Sequence, residues 1–220
     1  MLDLPSDPGL SALYAIFMTV QLYPAPCTDG GRGAPPAKES FAMSDDPPRF
    51  ELKTPDGEDR ARRVCAQCGF IDYVNPKIVA GAVVADEQGR ILFCRRAIEP
   101  SRGLWTLPAG YMELSESVED AARREAREEA MADIELDALL AVYSVPRISQ
   151  VQIFFRARLL SPIAPGPESL EVSLRSWDAL PMDALAFPSV RWALDDWRAA
   201  RGQTAPVPVM RTQTADGSAA

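Results

Sequence analysis

The stretch GYMELSESVEDAARREAREEA, residues 110–130, decides how the rest of the chain is read. Its second half, ARREAREEA (residues 122–130), holds three glutamates, three arginines and three alanines. On an α-helix at about 100° per residue, Val118, Ala122 and Ala126 share one narrow arc, a ridge of small side chains suited to packing on a sheet. Glu119, Asp120, Arg123, Arg124 and Arg127 fall on the opposite, solvent side by the same construction. Glu125, Glu128 and Glu129 gather beside or on the ridge. Like charges three and four residues apart on a helix repel, so a helix built only for solubility would not carry them there. A positive charge is expected among them.

Composition narrows the partners. The 220 residues suit one globular domain with extensions, and a hydrophobic content of 47% supports a real core. The formal net charge of −8 excludes the basic footprint of a general nucleic-acid or membrane-surface binder. Four cysteines and no histidine argue against a disulfide framework and for a reducing compartment, so a cytoplasmic location is expected. The run LSALYAIFMTVQLY (residues 10–23) is too short to span a bilayer, and the acidic residues before it do not suit a signal peptide. Residues 1–42 therefore read as a disordered extension, with Met43 opening the compact protein, and residues 203–220 read as a disordered tail.

Between these ends the pattern is regular. KIVAGAVVA and RILFCRR are apolar runs separated by the turn residues Asp86–Gly89, and they read as a hairpin. LWTLPAGY is a short strand entering a loop at Pro108 and Gly110. Ser117 is placed to cap the glutamate helix, with Asp120 three residues on. IELDALLAVYSV, QVQIFFRARLL and LEVSLRSW read as further strands, and Pro188 opens a last amphipathic helix. The order implies an α/β/α sandwich with the glutamate helix laid against a mixed sheet.

The spacing carries more. Gly110, Glu116, Arg124, Glu125, Glu128 and Glu129 match the pattern G-x5-E-x7-R-E-U-x-E-E at every position. In this the chain resembles the Nudix hydrolases over about residues 65–200. One departure is Met131, where the family usually has a glycine that lets the helix end in the left-handed conformation. The resemblance implies that Glu125, Glu128 and Glu129 are the main ligands of Mg²⁺ or Mn²⁺, that Glu116 supports the site, and that Arg124 orients a box carboxylate. Hard oxygen donors on one rigid helix suit such ions. A base or further ligand comes from a later loop in this family, so Glu125, Glu168 and Glu171 are the catalytic candidates, with Glu168 favoured over Glu171. Gly110 orients the site. Arg95 and Arg96 are candidates for substrate phosphate, and Trp105, Tyr111 and Phe154 for stacking on a ring.

A finer resemblance links CAQCGFIDYVNPKIVAG, PGPESLEV and LAFPSVRWAL to the zinc-ribbon-linked Nudix group, which includes plant plastid enzymes that split FAD and ADP-ribose. Residues 43–76 then form a degenerate ribbon and residues 77–202 the Nudix domain. A structural zinc needs four ligands. Only Cys65 and Cys68 stand in the ribbon segment and the chain has no histidine, so a structural zinc is not expected. The expected reaction is metal-dependent hydrolysis of a nucleoside diphosphate linked to another group, FAD or ADP-ribose, releasing AMP. The alternatives are a nucleotide-binding regulator on the same scaffold and a sanitising hydrolase of oxidised nucleoside triphosphates. The partner is a small nucleotide, with no nucleic acid or membrane, and the resemblance allows a homodimer.

Overall fold

Alternation of small and branched residues along Lys77–Ala85 (β4) sets up the two-sided core. Ala80, Ala82 and Val84 point to one face of the sheet and Val83 to the other, all fully buried. The computed structural model describes residues 47–214 and Ser218. It divides at Val74 and Asn75 into two compact units. The expected extension of residues 1–42, with its apolar run, lies outside the described residues, and among the described residues no helix is long and apolar enough to cross a membrane.

The first unit holds a three-stranded antiparallel sheet of β1 (Phe50–Lys53), β2 (Arg62–Cys65) and β3 (Ile71–Asp72). Sequence pattern did not announce these strands. They are short, and much of their surface is exposed. Polar contacts tie the connections to them: Glu58, between β1 and β2, accepts from the hydroxyl of Tyr73, just after β3, at 2.8 Å and from Arg62 of β2 at 3.2 Å.

In the second unit, β5 (Ile91–Arg96), β8 (Ile134–Val145), β9 (Gln150–Leu159), β10 (Ser169–Arg175) and β11 (Val209–Thr212) join β4 in a mixed sheet of order β10-β5-β4-β9-β8-β11. β6 (Trp105–Thr106) pairs with β5, and β7 (Ala109–Tyr111) with β4. Helix α1 (Val118–Ala130) covers one face over an alanine-rich core, and α2 (Pro188–Ala199) covers the other, its Trp192 and Trp197 in one core cluster with Phe93 and Tyr143. This is the expected α/β/α sandwich.

Two expectations change. The β4–β5 hairpin is paired only at its mouth, Ala85 opposite Ile91. Beyond it the strands part, and β7 takes the place beside β4, with Val79, Ala80 and Gly81 opposite Tyr111, Gly110 and Ala109. Gly81 permits this approach, since a Cβ there would stand 2.4 Å from the Ala109 Cβ. The second change is at the tail, read from sequence as disordered. Val209–Thr212 instead forms a strand parallel to β8. Its anchor is Arg211, whose guanidinium meets Asp196, a buried carboxylate that also accepts the Tyr143 hydroxyl at 2.7 Å. Pairing of the chain to the β8 edge and neutralisation of a buried charge outweigh the weak local propensity of the segment.

Candidate active site

Helix α1 is phased by its first residue. Ser117 is extended, and its hydroxyl accepts the Asp120 N–H at 3.1 Å. Starting the helix there turns Ala121, Ala122, Glu125, Ala126, Glu129 and Ala130 to the sheet, where all six are buried. The alanines bring the helix close, and the two glutamates, one turn apart, reach β7. Glu125 packs on Gly110 so tightly that a Cβ there would lie 2.4 Å from its carboxylate oxygen. Glu129 accepts the Ala109 N–H at 3.2 Å.

The helix ends at Met131 in the left-handed conformation, φ 51°. Its N–H closes on the Arg127 carbonyl at 2.9 Å, so the exit the missing glycine would favour is made nonetheless. The loop after β9 is then bonded to the helix end: Ala164 N–H donates to Ala130 and Gly166 N–H to Glu129, each at 3.0 Å. A Cβ on Gly166 would fall 1.7 Å from the Glu128 carbonyl oxygen. This loop carries Glu168.

Arg124 supplies the positive charge expected among the glutamates. The helical construction put it toward solvent, but its side chain folds back. It donates to Glu116 at 2.9 and 3.1 Å, to Glu125 at 2.7 Å, to Glu128 at 2.8 Å and to the Tyr111 carbonyl at 2.9 Å. A guanidinium with five donors can serve all of these at once, so the long side chain pays little for turning inward.

The carboxylates differ in their environments. Burial pushes Glu129 up to about 8, reinforced by the charge of Glu125 and opposed by the Ala109 N–H and Arg96. Burial also raises Glu125, against the pull of Arg124. The Arg124 hydrogen bonds, with the Glu113 N–H, hold Glu116 below its usual range. The charge of Glu168 contributes to the rise of both Glu125 and Glu129. Glu171 lies on β10 opposite Arg95 and is paired with it at 3.7 Å.

Other residues expected at the site are dispersed. Trp105 is buried in the core under α2, with the Arg175 guanidinium 4.3 Å from its ring centroid, and Phe154 is buried in the same cluster. Neither can stack on a ligand in this arrangement. Alternating patterns do not say which aromatic on a strand is covered by a distant helix. Arg95 donates to the Gly103 carbonyl. Arg96 donates to the Pro100 carbonyl and lies over Phe187. Tyr111 is half exposed and borders a groove of about 600 Å³ lined by Pro76, Lys77, Ile78 and residues 111–115. Gln150 donates to its hydroxyl at 2.9 Å, and Lys77 Nζ stands 4.7 Å from its ring centroid. Sequence reading passed over Lys77, Gln150 and Gly166. The PGPESLEV segment reads only as the loop that offers Glu168 and Glu171, and its sequence gives no sign of the contact of Gly166 with the helix.

Among the described residues no three acidic or cysteine side chains already converge as a metal cluster. Glu116, Glu125 and Glu128 are turned to Arg124, and Glu129 to a backbone N–H. The donor set still fits a small divalent cation. It is all oxygen, two members are buried, and both resist ionisation without more positive charge than Arg124 and Arg96 provide.

Comparison with known proteins agrees with this geometry. Residues 75–199 match the NUDIX domain and residues 48–74 the Nudix N-terminal zinc ribbon. A NUDIX hydrolase structure from Nitrosomonas europaea superimposes with a TM-score of 0.70 at 40% identity, over 77% of this chain and 98% of that one. An ADP-ribose pyrophosphatase of Methanocaldococcus jannaschii is 34% identical over 34% of this chain and 43% of its own length. The NAD-capped RNA hydrolase NudC of Stutzerimonas stutzeri is 32% identical over 49% of this chain and 38% of its own. The match thus spans less than half the length of these two curated relatives. The box spacing, the sandwich that buries its glutamates and a domain match over more than half the chain lead to one conclusion: this protein is a member of the Nudix hydrolase family.

Proposed function

We propose that this enzyme hydrolyses a nucleoside diphosphate linked to another moiety, with FAD or ADP-ribose as the substrate class, and releases AMP. The observation that carries the reading is the pair of buried, reluctantly ionised carboxylates, Glu125 and Glu129, held one turn apart against β7. The named activity of the archaeal relative favours a dinucleotide-like pyrophosphate. Glu125, Glu128 and Glu129, supported by Glu116, would hold Mg²⁺ or Mn²⁺. When bound, the ion supplies charge neutralisation at the phosphoryl oxygens and a more acidic water. Arg124 keeps the carboxylates in register before the ion arrives, and the Gly110 backbone leaves room for Glu125. In the hydrolysis a water oxygen bonds to one phosphorus, the bridging P–O bond breaks, and Glu168 takes the water proton. Arg96, whose charge reaches Glu129, would have to leave the Pro100 carbonyl to meet the substrate phosphates, and the groove beside Tyr111 takes a planar ring of the substrate. The cysteine usage supports work in the cytoplasm, and the two-cysteine ribbon supports the absence of structural zinc.

The test is turnover of FAD, ADP-ribose, NADH, diadenosine polyphosphates and deoxynucleoside triphosphates with Mg²⁺ or Mn²⁺. FAD or ADP-ribose should lead. Glu168→Gln should lower kcat by roughly a hundredfold or more, as loss of a general base does, while Glu171→Gln stays within a few-fold. A preference for the deoxynucleoside triphosphates would overturn the substrate assignment, and the reverse ranking of the two variants would move the base to Glu171.

A further inference from the structure

The groove beside Tyr111 carries a feature that the proposed reaction does not need. Its rim holds a cation, Lys77, at the first residue of β4. The ammonium stands 4.7 Å from the Tyr111 ring centroid, and among the described residues it has no carboxylate ion pair. It is held in place by register: Lys77 pairs with Gln150 on β9, and Gln150 in turn donates to the Tyr111 hydroxyl. Gln152 donates to Gln150 at 3.1 Å, so the aromatic ring and the amide beside it are fixed from the sheet. Of the remaining walls, Pro76, Ile78, Met112 and Leu114 are apolar and Ser115 is polar but uncharged. One acidic residue, Glu113, also lines the groove. Its backbone N–H is bound to Glu116.

The groove is joined directly to the carboxylates. The Tyr111 carbonyl accepts from Arg124, the residue that holds Glu116, Glu125 and Glu128. A ring placed against Tyr111 therefore belongs to a substrate whose phosphates lie toward α1. Aromatic faces attract cations, and Lys77 already satisfies that attraction. A second cation brought beside it meets like charge in a largely apolar cleft, where screening is weaker than in bulk water. An uncharged ring pays no such penalty and gains stacking.

We propose that Lys77 is a specificity-determining residue that selects substrates whose groove-bound ring is uncharged and turns away cationic rings. This rests on the substrate reading given above and adds to it the charge of the accepted ring.

Two pairs of probes differ essentially in ring charge: NADH against NAD⁺, and guanosine diphosphate against its 7-methyl derivative. For each pair the ratio of kcat/KM, neutral over cationic, is measured in wild type, Lys77→Met, Lys77→Arg and Glu113→Gln. Affinities for the same probes are measured by calorimetry, which reads the ratio without turnover. Wild type should favour the neutral member about fivefold or more in both pairs. Lys77→Met should bring both ratios to within about twofold of unity, Lys77→Arg should keep them, and Glu113→Gln should raise them. Ratios unchanged in Lys77→Met, or moved in one pair only, would overturn the assignment, as would absence of binding by all four probes. Turnover of FAD and ADP-ribose is followed alongside. Loss of that activity in wild type refutes the substrate reading, whereas flat ratios with that activity intact refute Lys77 alone.

Discussion

Replacing Glu129 by glutamine removes one charge with almost no change of shape. The glutamine Oε1 can still accept the Ala109 N–H that Glu129 accepts at 3.2 Å. In the metal-free fold Glu129 titrates at about 8 rather than at its ordinary 4.5. The folded state thus holds a proton that the unfolded state releases, and metal-free wild type loses stability as pH rises from about 4.5 to about 8, then levels off. At pH 7 the ordinary carboxylate would be ionised by some 2.5 pH units, so folding with a neutral Glu129 costs on the order of 3 kcal/mol. Glu129→Gln avoids that cost. In EDTA at pH 7 the variant should be more stable than wild type by about 2–3 kcal/mol, and the gap should shrink to under about 1 kcal/mol at pH 5. Magnesium at a hundredfold excess over its dissociation constant should stabilise wild type by about 2.7 kcal/mol and the variant far less. Turnover should fall by orders of magnitude. Urea denaturation of both proteins at pH 5, 7 and 9, with EDTA and with Mg²⁺, reads each of these. A variant less stable than wild type in EDTA, yet turning over at near wild-type rate, would show that Glu129 is half of a structural ion pair, since stranding a buried cation destabilises.

Four further outcomes are expected. Gly110→Ala puts a Cβ against the movable Glu125 carboxylate, so it should cost roughly a hundredfold or more in turnover with little change in melting temperature, as misplacement of a catalytic group does. Gly166→Ala meets the Glu128 backbone oxygen instead and should lower stability by more than about 2 kcal/mol in chemical denaturation; equal stability losses in the two variants would contradict this. Met131→Gly relieves a left-handed backbone that costs a side chain roughly 1–2 kcal/mol, and after the extra freedom of unfolded glycine it should leave a gain of about 0.5–1 kcal/mol with turnover unchanged. EDTA should abolish activity, Mg²⁺ or Mn²⁺ but not Zn²⁺ should restore it, and elemental analysis of protein purified without added metal should find no stoichiometric zinc; zinc lost in Cys65→Ser would contradict this.

The strands and helices that place the site were legible because hydrophobic period and capping agree there. Ser117 starts α1 where the sequence asks for it, and Ile134–Val145 and Lys77–Ala85 are strands over the residues expected. What sequence did not reveal is set by partners distant along the chain. Trp105 is covered by α2 and Arg175, more than sixty residues on. Arg124 abandons the solvent side because Glu116 and the Tyr111 carbonyl wait eight and thirteen residues upstream. The β4–β5 hairpin opens because β7 competes for the same edge. The site thus combines a local pattern, the box on α1, with a loop and a strand that only tertiary packing brings to it.

The strand at Val209–Thr212 bears on how the chain is made. During synthesis β8 emerges some sixty-five residues before β11, so its outer edge must wait unpaired while the rest of the sheet forms. Asp196 waits as well, with Tyr143 but without Arg211. The sandwich can therefore collapse around its two helices before its last charge is balanced, and only release of Val209–Thr212 completes the sheet. A premature stop or a proteolytic nick near residue 208 spares every box residue and still leaves an open strand edge beside an uncompensated carboxylate, a combination that favours self-association over catalysis.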